Sequence, residues 1–299
     1  MDQVALLQIS SALLLNVGFI WLVGSWFARR WLGSSGVKRN DVEPALRKLD
    51  LVAAGVSAVA SVVALYAATA VMGGISLQEA GPMFWMMLST THYGHIGCLT
   101  ILAMMILFAI RVRGGTSGAS DTASLLTIVA FAITRASMGH AGENGILSVS
   151  LAAEVVHFFS IGLWTGAVIV SAYFVLTPQR VATLALAVTD RYLNVMSRGV
   201  MLAVILIIGT GLYNAWHRIG TVEQLTRSSY GLTLLVKIAL VACAIGLGGY
   251  NKFFGLPAAG RSARGVAVVR RVLQIESVLL LGALAAAAIL TSQQPPTAI

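Results

Sequence analysis

Apolar residues in this chain fall into eight long runs, over roughly 4–28, 51–75, 83–110, 122–138, 147–176, 192–216, 230–250 and 266–290. A helix crossing the hydrocarbon layer needs ~20 mainly apolar residues. The pattern therefore predicts an all-α integral membrane protein, a bundle of about eight transmembrane helices that forms one polytopic domain over residues 1–299. The fifth run is long enough to tilt or to extend beyond the bilayer. The first is too long for the apolar stretch of a signal peptide, and it has Asp2 ahead of it and arginines behind, the reverse of a signal peptide's charge order. It is expected to remain as a span.

The stretches between runs leave no room for a soluble domain of useful size. The longest, 29–50, is basic and carries Trp31, as an interfacial segment would. The Gly/Ser run 114–120 reads as a flexible connector. The tail 293–299, with Pro295 and Pro296, leaves the helix behind.

Composition supports the membrane reading. Hydrophobic residues make up 58% of the chain and charged residues only 10%, against roughly 25% charged in soluble domains. The net charge of +9 does not indicate nucleic acid, because the basic residues sit between apolar runs instead of forming one patch. Sixteen of the twenty lie on one side: Arg29, Arg30, Lys38, Arg39, Arg47 and Lys48; Arg111 and Arg113; Arg180, Arg191 and Arg198; Lys252, Arg261, Arg264, Arg270 and Arg271. Positively charged loops stay in the cytoplasm, so both termini are expected outside. Cys98 and Cys243 lie within apolar runs without CxxC spacing, which predicts small buried residues and not a thiolate metal site.

Candidate chemistry lies on the other side. If the third run enters from outside at Met83, the helical rise places His92 and His95 ~14–18 Å deep, with His157 at ~15 Å on the fifth run. His140 falls at the outer mouth of the fourth run and His217 just outside the sixth. His92 and His95 share a helix face, and Glu154, His157, Ile161 and Trp164 form a second stripe at helical spacing. Ionisable groups in a membrane usually face the bundle interior or a water-filled cavity. Imidazole suits copper, iron and zinc, while thioethers select Cu(I). Met83, Met86 and Met87 at the mouth of the third run, and Met138 beside His140, supply thioethers on the same side. The candidate metal ligands are thus His92, His95, His140, His157, Met138, Met86 and Met87. Among the remaining charges, Glu154 and Lys237 match in depth and are expected to pair, and Arg198 is the basic residue closest in depth to Glu276. These charges are read as structural or coupling elements.

Several short motifs occur in an order that resembles the copper resistance protein D family: Met138, Gly139, His140, Ala141; Ala153 through His157; Leu163, Trp164, Thr165, Gly166; Arg191 to Ser197; Gly209, Thr210, Gly211; Tyr230 to Lys237; Tyr250, Asn251, Lys252 and Pro257; then Arg270, Arg271, Glu276, Pro295 and Pro296. The likeness runs from about residue 138 to the end, and is architectural before that. It implies a bacterial inner-membrane protein of copper homeostasis that moves copper inward, with periplasmic termini. It points to His140 and His157 as working residues, with Trp164, Lys237 and Glu276 as architecture, and makes a periplasmic copper-carrying protein the natural donor. In the first run the chain reads Leu15, Asn16, Val17, Gly18 where family members often carry a histidine.

The leading expectation is a copper transporter in the lipid bilayer that captures the ion at outer Met and His residues and passes it through midplane His. No GxxxxGK[ST] phosphate loop is present, and no enzymatic activity is expected. The alternative is a redox protein holding haem b between two midplane histidines such as His95 and His157. A structural assembly subunit would hold neither metal.

Overall fold

The structure is a computed structural model that describes residues 3–36, 42–114, 118–139, 141–142, 145, 147–218 and 222–293. Among these residues there are helices and turns and no strand. In chain order the helices are α1 (Gln3–Ser34), α2 (Glu43–Gly73), α3 (Ala80–Thr90), α4 (His92–Arg113), α5 (Gly118–Ser137), α6 (Val149–Val170), α7 (Pro178–Val181), α8 (Leu186–Arg218), α9 (Val222–Arg227), α10 (Ser229–Tyr250), α11 (Leu256–Ala259) and α12 (Ala263–Leu290). The eight longest, α1, α2, α4, α5, α6, α8, α10 and α12, correspond to the eight apolar runs. Seven are long and apolar enough to cross a membrane, and α5 is the more polar eighth. The protein is a multi-pass membrane protein.

Local sequence sets the helix ends. Ser148, Ser228 and Ser262 cap α6, α10 and α12, each side chain accepting the backbone N–H three residues on. That satisfies donors the first turn cannot. α2 ends at Gly74, whose φ of +61° suits glycine. Beyond it, the N–H and hydroxyl of Ser76 hold the exposed Glu79 carboxyl below the usual carboxylate range. α6 runs on through a π turn at Ser171–Val175.

The third run departs from expectation, because it is two helices and not one. Thr91 is extended (φ −104°, ψ 145°) and its hydroxyl caps α4 by accepting the Gly94 N–H at 3.0 Å. The chain folds back so closely that a Cβ on Gly94 would meet the Met87 carbonyl. The apolar stretch around Met83 to Leu88 therefore belongs to the short α3, and the span itself begins at His92.

α1 and α6 form the centre of the bundle. α1 packs on α2 and α6, α6 on α8 and α12, α4 on α2 and α5, and α10 on α12. At the α1–α6 crossing the backbones touch: a Cβ on Gly24 would stand 2.3 Å from the carbonyl carbon of Gly166. Small residues allow this close approach, which dispersion then rewards. Two apolar cores flank the crossing. Phe19, Leu107 and Phe131 belong to one, and Trp164, Tyr192 and Leu273 to the other. Val59, Leu126, Leu212 and Phe253 face outward, as lipid contact requires. Cys98 and Cys243 are also on the outer surface and not buried as expected, since a thiol costs little against lipid.

One end of the bundle is closed by charge. Asp50 on α2 is fully buried. It accepts hydrogen bonds from Trp21 Nε1 (2.9 Å), Ser25 Oγ (2.7 Å) and Arg29 Nη1 (2.8 Å), and Arg111 Nε lies 3.0 Å away. Arg29 also pairs with Glu43 at 3.0 Å. The sequence pattern counts Arg29 and Arg111 as loop charges, yet both are buried and tie α1, α2 and α4 together.

Candidate functional site

At the opposite end the helices part around a cavity of about 640 Å³. Its wall comes from the starts of α1, α4, α6 and α10 and the ends of α2, α5 and α12. Gln8 and Asn16, His92 and Tyr93, Glu154 and His157, Lys237, Met72, and Arg135 with Met138 all border it. Basic residues crowd the other end, so the cavity opens on the face that charge patterning assigns to the outside.

His157 is the best-placed donor. It lies eight residues into α6, ~12 Å from its start by helical rise. Its Nδ1 is 3.0 Å from Thr210 Oγ1 on α8. One turn earlier on α6, Glu154 Oε2 accepts a hydrogen bond from Asn214 Nδ2 at 2.9 Å. Thr210 and Asn214 are thus spaced i, i+4 on α8 against the i, i+3 pair of α6, and two polar contacts join the helices along the cavity wall. Asn16 borders the cavity from α1.

The other expected ligands divide. His92 borders the cavity, but as the first residue of α4 it sits at the end of a span, not ~14–18 Å down it. His95 is turned towards α3, with Nε2 3.0 Å from the Ser89 carbonyl, and does not border the cavity. The expected set of three histidines at one depth is therefore not formed, because the break at Thr91 raises two of them to the mouth. Met138 borders the cavity, and its sulfur accepts from Thr100 Oγ1 at 3.7 Å. Met87 is buried, Met83 and Met86 are exposed, and none of the three reaches the cavity. His140 lies outside the described residues, as do residues 115–117 of the expected Gly/Ser connector and the tail prolines. His217 falls in the last turn of α8, where only the backbone is described.

Met72, at the end of α2, supplies a second thioether that the sequence reading did not select. A terminal Met on an apolar run looks like packing until the helices are assembled. Thr210 was legible within the Gly209–Gly211 motif and Asn214 only as a polar interruption of the sixth run, and neither pointed to α6.

Among the described residues no cluster of three or more His, Cys, Asp or Glu is placed to hold a metal ion. The wall instead offers separated donors: imidazole at His92 and His157, thioether at Met72 and Met138. Formal charges at the wall are mixed, with Arg135 and Lys237 positive and Glu154 negative. The last two border one cavity, as a Glu154–Lys237 pairing requires.

Below the cavity the interior is packed. Phe158, which lines the cavity, stacks on Phe19 with centroids 4.2 Å apart. One turn past Ile161, Trp164 Nε1 donates to Glu276 Oε1 at 2.7 Å, both residues being buried. The partner expected for Glu276 was Arg198. Among the described residues no basic group lies within ion-pair distance of it, because the indole reaches the carboxyl from α6 inside the bundle.

Comparison with known proteins agrees with this picture. Residues 1–149 match the family model described as copper resistance protein D-like, N-terminal domain, and residues 181–290 match that of copper resistance protein D. The likeness thus extends into the first half of the chain, where short motifs alone had shown only a similar architecture. Copper resistance protein D of Pseudomonas syringae pv. tomato is 31% identical over 236 residues, covering 73% of this chain and 74% of that protein. Copper transport protein CutJ of Bacillus subtilis (strain 168) is 27% identical over 198 residues, 66% of this chain but 35% of that longer protein. No solved structure matches the chain.

Proposed function

Given that the chain belongs to the copper resistance protein D family, we propose that it carries copper from the periplasm towards the cytoplasm of a bacterial inner membrane. The cavity is the entry vestibule. The reading rests on one observation: two imidazoles and two thioethers border a single cavity at the end of the bundle opposite the one where most basic residues gather.

Thioether and imidazole donors together favour Cu(I) over hard cations. Transit needs sites that bind well enough to admit an ion and weakly enough to release it. Donors spread along a wall suit that better than a closed cage does. His92 and Met72 stand near the mouth and His157 deeper, an order that takes an ion inward. The protein transports its substrate and does not transform it. Both termini lie in the periplasm, and a periplasmic copper-carrying protein delivers the ion. Movement follows a gradient or couples to another ion, because the chain has no phosphate-binding loop to use ATP.

Copper accumulation in cells carrying His157 variants tests the reading. His157→Ala is expected to abolish protein-dependent accumulation at normal protein level, and His157→Met, which keeps a soft donor, to retain part of it. Wild-type accumulation by His157→Gln would show that the residue only packs.

A further inference from the structure

We propose that Thr210 and Gly211 of α8 form a seat that fixes the tautomer and orientation of His157, so that the ring offers Nε2, and not Nδ1, to copper. This rests on the reading of His157 as a copper ligand.

Thr210 Oγ1 lies 2.5 Å from the Leu206 carbonyl oxygen, a separation at which two oxygens repel unless a hydrogen lies between them. The hydroxyl therefore donates its single proton to Leu206. Towards His157 Nδ1, 3.0 Å away, Thr210 Oγ1 can then only accept. A neutral imidazole has one N–H, so the proton sits on Nδ1 and the metal-binding lone pair on Nε2.

Gly211 completes the seat. A Cβ there would stand 3.2 Å from His157 Cε1 and 3.7 Å from Nδ1, close enough to require the ring to shift by a few tenths of an ångström. One turn on, Asn214 holds Glu154 of the same α6 stripe, which keeps α6 and α8 in register along the cavity. Metal-binding histidines commonly donate their second ring nitrogen to a fixed acceptor, which sets the tautomer and raises ligand strength. Thr210 is thus a positioning residue that acts through His157.

The test reads the tautomer directly. Magic-angle-spinning NMR of ¹⁵N-histidine protein in lipid, with His157 assigned by difference against His157→Gln, is recorded at about pH 9, well above the ordinary imidazole value of ~6.5. The wild-type protein should show a protonated Nδ1 and an unprotonated Nε2, and the reverse pattern would overturn the proposal without any Thr210 variant. Thr210→Ser should keep both the wild-type spectrum and copper uptake. Thr210→Val should lose the Nδ1–H preference and reduce uptake by roughly 10–100-fold, the usual cost of removing such a partner. Full uptake by Thr210→Val while His157→Ala has none would overturn the positioning role alone. Full uptake by His157→Ala would overturn the copper reading beneath it, whatever the tautomer.

Discussion

The two ends of the bundle use similar residues for opposite purposes. At the closed end, the buried Asp50 is surrounded by Trp21, Ser25, Arg29 and Arg111. At the open end, Glu154, Lys237, Arg135, His92 and His157 border a cavity of about 640 Å³. A buried carboxylate that gathers donors from two other helices holds the three together, because removing it takes from Arg111 its ion-pair partner inside the bundle. Polar groups around a cavity remain able to meet a ligand. Substitutions at the closed end should therefore affect folding, and those at the open end copper handling.

The largest effect expected is on Asp50→Ala. It leaves the buried Arg111 without its carboxylate and Arg29 with Glu43 alone, and should cost ~3–5 kcal/mol, read as a collapse of thermal stability in detergent-solubilised protein. An unchanged melting temperature would mean that the cluster does not hold α1, α2 and α4 together. A smaller effect is expected for Glu154→Gln and Lys237→Met. Both residues border the cavity, where water screens charge, so each single change should cost no more than about 1 kcal/mol. The double variant should be milder than the two singles combined. Additive losses would argue that the two side chains never meet.

The smallest perturbation tests which end faces out. With Cys98 and Cys243 replaced, a cysteine at the highly exposed Leu147 should react with an impermeant thiol reagent in intact cells. A cysteine at Gly118, which has open space around its Cβ, should not. Labelling at residue 118 from outside would reverse the bundle and make the cavity an exit.

Much of this contrast was legible along the chain, and what was missed has physical causes. Long apolar runs located the eight helices because lipid imposes length and composition together. The Glu154–His157 stripe was readable because both residues lie on one helix face. The break at Thr91 was hidden because the residues on either side are apolar enough for a hydropathy window to run through it. The three hydroxyl residues Ser89, Thr90 and Thr91 before His92 were the available signal, a cap within a hydrophobic run. Missing it placed His92 and His95 too deep and joined them to His157. The Asp50 cluster draws on three helices, and the Trp164–Glu276 contact spans 112 residues of sequence. Matching charges by depth alone suggested Arg198 for Glu276 because it ignored which helices touch. An indole N–H does not register as a partner in a search for opposite charges.

The central claim is that copper passes through the cavity by way of His157, and flux through the purified protein tests it most directly. Proteoliposomes loaded with a Cu(I)-sensitive dye and given external Cu(I) should show saturable copper entry with the wild-type protein. With His157→Ala, entry should fall to the level of protein-free liposomes. Equal flux through the two proteins, or a wild-type protein that passes no copper and shows a Soret band, would contradict the account.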